Sequence, residues 1–230
     1  MAVQFVNQDA EENIPLSLRV GNFFLAHRKI FLAGLLVVFA VVAALVTMTV
    51  VTRAGMASAY DRIQDLLTEW HALDPESADS AAAETGILDG LQEVAAENRR
   101  NFAGVRANLS LAEIYFAKED WASAREFYEA AADVPGGFYT EGFALYNAGI
   151  CAEQMNLPED AASLFLRAAE TESFSQKPRS LFAAARVQEQ NGSTQEALET
   201  YRRILDLYPS SSWTELAHSR IIALELPAGQ

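Results

Sequence analysis

The chain has 230 residues, 50% of them hydrophobic and 21% charged, with a formal net charge of −14. That abundance of Leu, Ile, Val, Phe and Trp excludes disorder for most of its length. The acidic excess repels phosphate backbones and anionic lipid heads, so nucleic acid is excluded as a partner.

Both charge and hydrophobicity are unevenly spread. The leader, residues 1–29, holds three bases (Arg19, Arg28, Lys29) against three acids (Asp9, Glu11, Glu12), so the whole of the −14 lies further along. Residues 30–52 are a run of 23 positions without a charge. At ~1.5 Å of rise per residue such a run spans a ~30 Å hydrocarbon core with room for tilt, and a single transmembrane helix is predicted there. A secretory signal peptide is the competing reading. Its apolar region would be only about 7–15 residues, and no cleavage site with a polar break follows; Ala57-Ser58-Ala59 is the nearest approach. Arg19, Arg28 and Lys29 on one flank outweigh Arg53 and Arg62 on the other. That bias puts the amino terminus in the cytoplasm and the acidic domain across the membrane.

Residues 53–104 read as membrane-proximal helices. Met56, Tyr60, Ile63, Leu67 and Trp70 form one amphipathic stripe, continuous with the span, with Gly55 as a candidate hinge and Asp74-Pro75 as its stop. The Ala-, Ser- and acid-rich residues 75–85 are expected as a loop. A second helix follows with Ile87, Leu88, Leu91, Val94 and Ala95 inward, the pair forming a degenerate repeat.

Residues 105–209 repeat. Ala124 recurs as Ala161 and Ala197, after 37 and then 36 residues. Twelve positions before each stands a small residue (Ala112, Gly149, Ala185), and four after each an aromatic one (Tyr128, Phe165, Tyr201). Leu111-Ala112-x-x-Tyr115, followed by Trp121-x-x-Ala124-x-x-x-Tyr128-x-x-Ala131, resembles the two-helix tetratricopeptide repeat, whose period is about 34 residues. Residues 210–230 hold a capping helix, carrying Trp213, Leu216, Ala217, Ile221 and Leu224, and a tail. The predicted fold is all-α: one membrane helix, then a solenoid of about four helix pairs plus a cap.

No catalytic, cofactor-binding or metal-binding residue is predicted. His27, His71 and His218 are far apart, there is no His-Glu-x-x-His, CxxC or phosphate-cradling glycine loop, and Cys151 sits among apolar neighbours as a small hydrophobe. Asn108-Leu109-Ser110 and Asn191-Gly192-Ser193 match the short glycosylation sequon. The repeat resemblance places the first helix of each pair on the concave side, at Arg106, Leu109, Glu113, Phe116 and Ala117, then Phe143, Tyr146, Ile150, Glu153 and Gln154, then Arg179, Phe182, Arg186, Glu189 and Gln190. Of these, Arg106, Phe116, Phe143, Tyr146, Arg179, Phe182 and Arg186 are the candidate protein-binding residues. The alternative for Leu109, Tyr146 and Ile150 is plain helix–helix packing. The carboxylate clamp of such repeats wants Lys and Asn where Leu109 and Glu113 stand, and only Asn147 and Arg179 fit its later positions, so that site is not expected.

The leader, the span, the half-repeat and the run Val94-Ala95-Ala96-Glu97-Asn98 … Ala107-x-Leu109-Ser110-Leu111-Ala112 together resemble the bacterial ancillary subunit of the Sec translocon. That family is a single-span inner-membrane protein with a periplasmic repeat domain. The resemblance implies association with the SecY complex and a periplasmic chaperone. The expected function is therefore a non-enzymatic, membrane-anchored adaptor for emerging proteins, without small-molecule substrate or cofactor. The alternative is a scaffold subunit of another envelope complex, for secretion, pili or outer-membrane assembly.

Overall fold

The computed structural model describes residues 16–74 and 76–226, and within them ten α-helices and no strand. The leader's first 15 residues, the Pro75 of the expected helix stop and the tail 227–230 lie outside the described residues. Two compact units divide the chain at Gly55.

In the first unit, α1 (Leu16–Ala26) ends at His27, whose Nδ1 donates to the Phe23 carbonyl at 2.9 Å. There α2 (Arg28–Ala72) begins, and Gly55 lies within it as a helical residue. An 18-residue window of α2 has a mean hydropathy of 2.9 with none of it buried. The one candidate membrane-crossing helix among the described residues is therefore the predicted one. Its few polar groups are satisfied within the helix: Thr47, Thr49 and Thr52 donate to the carbonyls of Ala43, Val46 and Met48 at 2.8, 2.8 and 2.9 Å. Hydroxyls bonded back onto their own helix need no water.

The second unit is a stack of helix pairs. Residues 56–72 of α2 pair with α3 (Ser80–Glu97) through Ile63, Ile87, Leu91 and Val94. Residues 80–85, read from composition as loop, are the first turns of α3, because Ala81-Ala82-Ala83 are the strongest of helix formers. Three further pairs follow: α4 (Phe102–Ala117) with α5 (Trp121–Ala132), α6 (Glu141–Gln154) with α7 (Pro158–Glu170), and α8 (Lys177–Gln190) with α9 (Thr194–Leu207). A last helix, α10 (Ser212–Glu225), closes the stack on α8 and α9 through Ala217 and Ile221.

The repeated residues are the packing code. Ala112, Ala124, Ala161, Ala185 and Ala197 are wholly buried, as are Phe165 and Tyr201, with Tyr128 nearly so. A methyl group on Gly149 would lie 2.7 Å from the Phe165 ring, so the smallest residue stands where the largest comes closest. Inside each pair the chain reverses at a left-handed residue, Glu119 (φ 59°), Asn156 (φ 58°) and Gly192 (φ 82°) in turn. Caps fix the starts: Asn101 accepts from the amides of Ala103 (2.8 Å) and Gly104, and Asp120 from that of Ser123 (3.1 Å). The Ser123 hydrogen bonds also hold the Asp120 carboxyl below its ordinary range. Asn108, in the first sequon, is buried in α4 and closed to a glycan, whereas Asn191 is exposed and donates to Glu159 at 2.7 Å.

Candidate functional site

The first helices of the pairs, α4, α6 and α8, carry all seven candidate residues, but the structure treats them differently. At the α10 end the face is closed upon itself. Arg186 reaches back from α8 to α6 and grips both carboxylate oxygens of Glu153 at 2.7 Å, a bidentate pair that raises the guanidinium pKa further. One repeat on, Arg220 of α10 pairs with Glu189 of α8, which also accepts from the Tyr201 hydroxyl at 3.1 Å. Arg186 and Arg220 stand 34 residues apart, so α10 occupies the place of the first helix of a further pair. Phe182 lies 5.4 Å from Tyr201 and 5.1 Å from Trp213, ring to ring. These are packing contacts.

The middle of the face is similar. Tyr146 rests on Phe165 at 5.2 Å and Phe174 at 6.2 Å, with the Arg179 guanidinium 4.9 Å over its ring. That cation–π contact holds α8 against α6. Phe116 stands edge-on to Trp121 at 5.0 Å and to Tyr128 at 6.4 Å, between the helices of its own pair.

The other end is open. Phe143 is 42% exposed, and among the described residues no ring packs on it. Tyr139, in the turn before α6, is 70% exposed and leans on Phe102 at 5.4 Å, while Phe102 meets Phe138 at 5.3 Å. Tyr60 of α2 lies near Tyr139 and Arg106; burial first, then Tyr139, push its hydroxyl pKa up, and Arg106 pulls it down. Arg106 is exposed and has no acidic partner among the described residues. Tyr60, Phe102, Phe138 and Tyr139 thus form a patch of two half-buried and two exposed rings beside an unpaired guanidinium, with Phe143 exposed four residues after Tyr139.

The repeat register points to Arg106 and Phe143 but not to Tyr60, Phe102, Phe138 or Tyr139. Those four lie on α2, at the first turn of α4 and in the connection between pairs, outside the positions that the repeat defines. The density of aromatics around Phe138-Tyr139 was the available signal. Among the described residues no three His, Cys, Asp or Glu side chains come together as a metal site.

Residues 91–137 and 146–212 match the family model of the tetratricopeptide repeat. Over 229 residues the chain is 27% identical to the TPR repeat-containing protein of Treponema pallidum (strain Nichols), covering 93% of this chain and 96% of that one. A solved structure of Pseudomonas aeruginosa pilF covers 72% of this chain and 99% of that one, at 18% identity and a TM-score of 0.31. The family match, the relative and the pairwise helix packing support a tetratricopeptide-repeat domain, a protein-interaction platform.

Proposed function

We propose that the chain is a membrane-anchored, non-enzymatic adaptor that captures polypeptides on the open end of its first-helix face. The observation that carries this reading is the patch of exposed Tyr60 and Tyr139 and half-buried Phe102 beside the unpaired Arg106, with exposed Phe143 four residues on. Amphipathic rings and a free arginine are the residue types that anchor protein contacts. Arg179, Phe182, Arg186, Tyr146 and Phe116 serve mainly to hold the helices in register, presenting only their outer edges to a bound chain. Anchoring α2 in a bacterial inner membrane, amino terminus in the cytoplasm, would confine the repeats to the periplasmic surface. Confinement raises effective concentration and lets weak contacts suffice. The resemblance to the Sec ancillary subunit names the SecY complex, its emerging clients and a periplasmic chaperone as the expected neighbours.

A photo-crosslinking residue placed at Phe143 or Tyr139, and at the exposed Ser163 on α7, tests this in the intact membrane. Polypeptide adducts are expected from the first two positions and not from the third, with SecY or a chaperone among them. Equal yields from all three sites would refute the face, and an unrelated apparatus among the adducts would refute the Sec assignment alone.

A further inference from the structure

A second feature lies elsewhere in the same domain. A cavity of about 360 Å³ opens between the end of α3, the middle of α4 and the end of α5. That is near the lower end of the range for small-molecule sites, about 300–1,000 Å³. Asn108 lines it from α4, two residues and therefore about 200° around the helix from Arg106, so the cavity faces away from the aromatic patch. Phe127, Ala130 and Val134 supply an apolar wall from α5 and the turn after it, and the exposed Arg99 and Asp133 line the cavity with them.

Two of these groups lack partners. Asn108 is 9% exposed, yet its side-chain amide makes no hydrogen bond among the described residues. Its amide atoms stay accessible where they line the cavity, unlike the enclosed Thr140 hydroxyl, so a bound group can meet them there. Arg99 makes no ion pair among the described residues, in a chain where acids outnumber bases 31 to 17. Asp133, by contrast, is engaged with Arg167 at 3.6 Å. A buried amide, an exposed uncommitted cation and apolar side chains lining one cavity match one chemistry.

We propose that this cavity binds a small apolar carboxylate: a branched aliphatic or aromatic body against Phe127, Ala130 and Val134, with its acid received by Asn108 and Arg99. Two sources carry that chemistry, a free organic acid and the carboxyl-terminal residue of a polypeptide. The inference is independent of the aromatic patch, whose residues it does not use.

Ligand-observed NMR on the full chain in mild detergent provides the test. Probes are 4-methylpentanoate, N-acetyl-leucine and the neutral N-acetyl-leucinamide, with the Asn108→Leu chain as the blank for uptake into micelles. The acids should saturate and the amide should bind about tenfold more weakly or less, since hydrogen bonds to a charged group are the stronger ones. Arg99→Gln, a surface change that spares the fold, should weaken the acids by about tenfold and leave the amide unmoved. Asp133→Asn removes a repelling charge and should tighten the acids. Preference for N-acetyl-leucine over 4-methylpentanoate would identify a polypeptide terminus as the source, and the reverse preference a free acid. Amide binding equal to acid binding, indifference to Arg99→Gln, or no saturation above the blank would each overturn the proposal.

Discussion

A methyl group added at Gly104 would stand 2.2 Å from the carbonyl oxygen of Asn98, a backbone atom that cannot rotate away. Gly104 lies in the first turn of α4, where the chain leaving α3 folds back under the Asn101 cap, so the glycine permits the close crossing itself. Gly86 offers the opposite case: it is exposed in α3, helical, with open space around its missing Cβ. Gly104→Ala should therefore destabilise by about 1–3 kcal/mol, the range for overpacking a closed site. Gly86→Ala should stabilise by about 0.5–1 kcal/mol, through the lower entropy of the unfolded chain and better helix propensity. Chemical denaturation of the two variants beside the parent decides the matter, and shifts of the same sign would show that the crossing between α3 and α4 is looser than described.

Between elements, the question is what holds successive pairs in register. Small-to-large contacts supply the packing, and they were legible in advance because a residue such as Ala161 or Phe165 recurs at fixed phase and is buried each time. The ladder of Glu153 to Arg186 and Glu189 to Arg220 was not legible, since carboxylates on an amphipathic helix look alike until a guanidinium from the next repeat is placed against one of them. The same limit separated the candidate residues. Spacing put Phe116, Phe143 and Phe182 on one face, though at different positions of their repeats, and only the neighbouring Trp121 and Trp213 turn two of the three into packing groups. Tyr60 and Tyr139 come together from elements about 80 residues apart in sequence, a proximity that no local pattern encodes. Arg186 and Glu153 are each about a third exposed, with side-chain accessibilities of 34% and 31%, so water screens the pair substantially. A double-mutant cycle of Arg186→Ala and Glu153→Ala should give a coupling of about 0.5–1 kcal/mol despite the bidentate geometry. A coupling near zero would mean that the cation–π contact of Arg179 with Tyr146 and the buried alanines set the register of α6 and α8 without it.

For the whole molecule, the decisive fact is an apolar surface that water would not tolerate. Val37, Phe39, Leu45 and Met48 are each more than half exposed on α2, and burying such side chains is worth about 1.5–3 kcal/mol apiece. A bilayer would remove that expense, and the proposed orientation, amino terminus inside, rests on the excess of Arg19, Arg28 and Lys29 over Arg53 and Arg62. The chain carries its own control for testing this. Cys151 is fully buried, and burial pushes its thiol pKa up to about 11. Because the thiolate is the reactive form, the native chain should stay unlabelled by a membrane-impermeant maleimide near pH 7. Labelling of that cysteine should rise only as pH climbs towards 11 or the fold is lost. Ser77→Cys then adds one accessible thiol in the exposed turn between α2 and α3. In bacterial cells whose outer barrier has been opened, this variant should label fully before the inner membrane is lysed, while the parent remains silent. Labelling of Ser77→Cys only after lysis would place the acidic repeats in the cytoplasm, and with them any partner they hold. A parent chain that labels without denaturant would instead refute the burial of Cys151 in the repeat core.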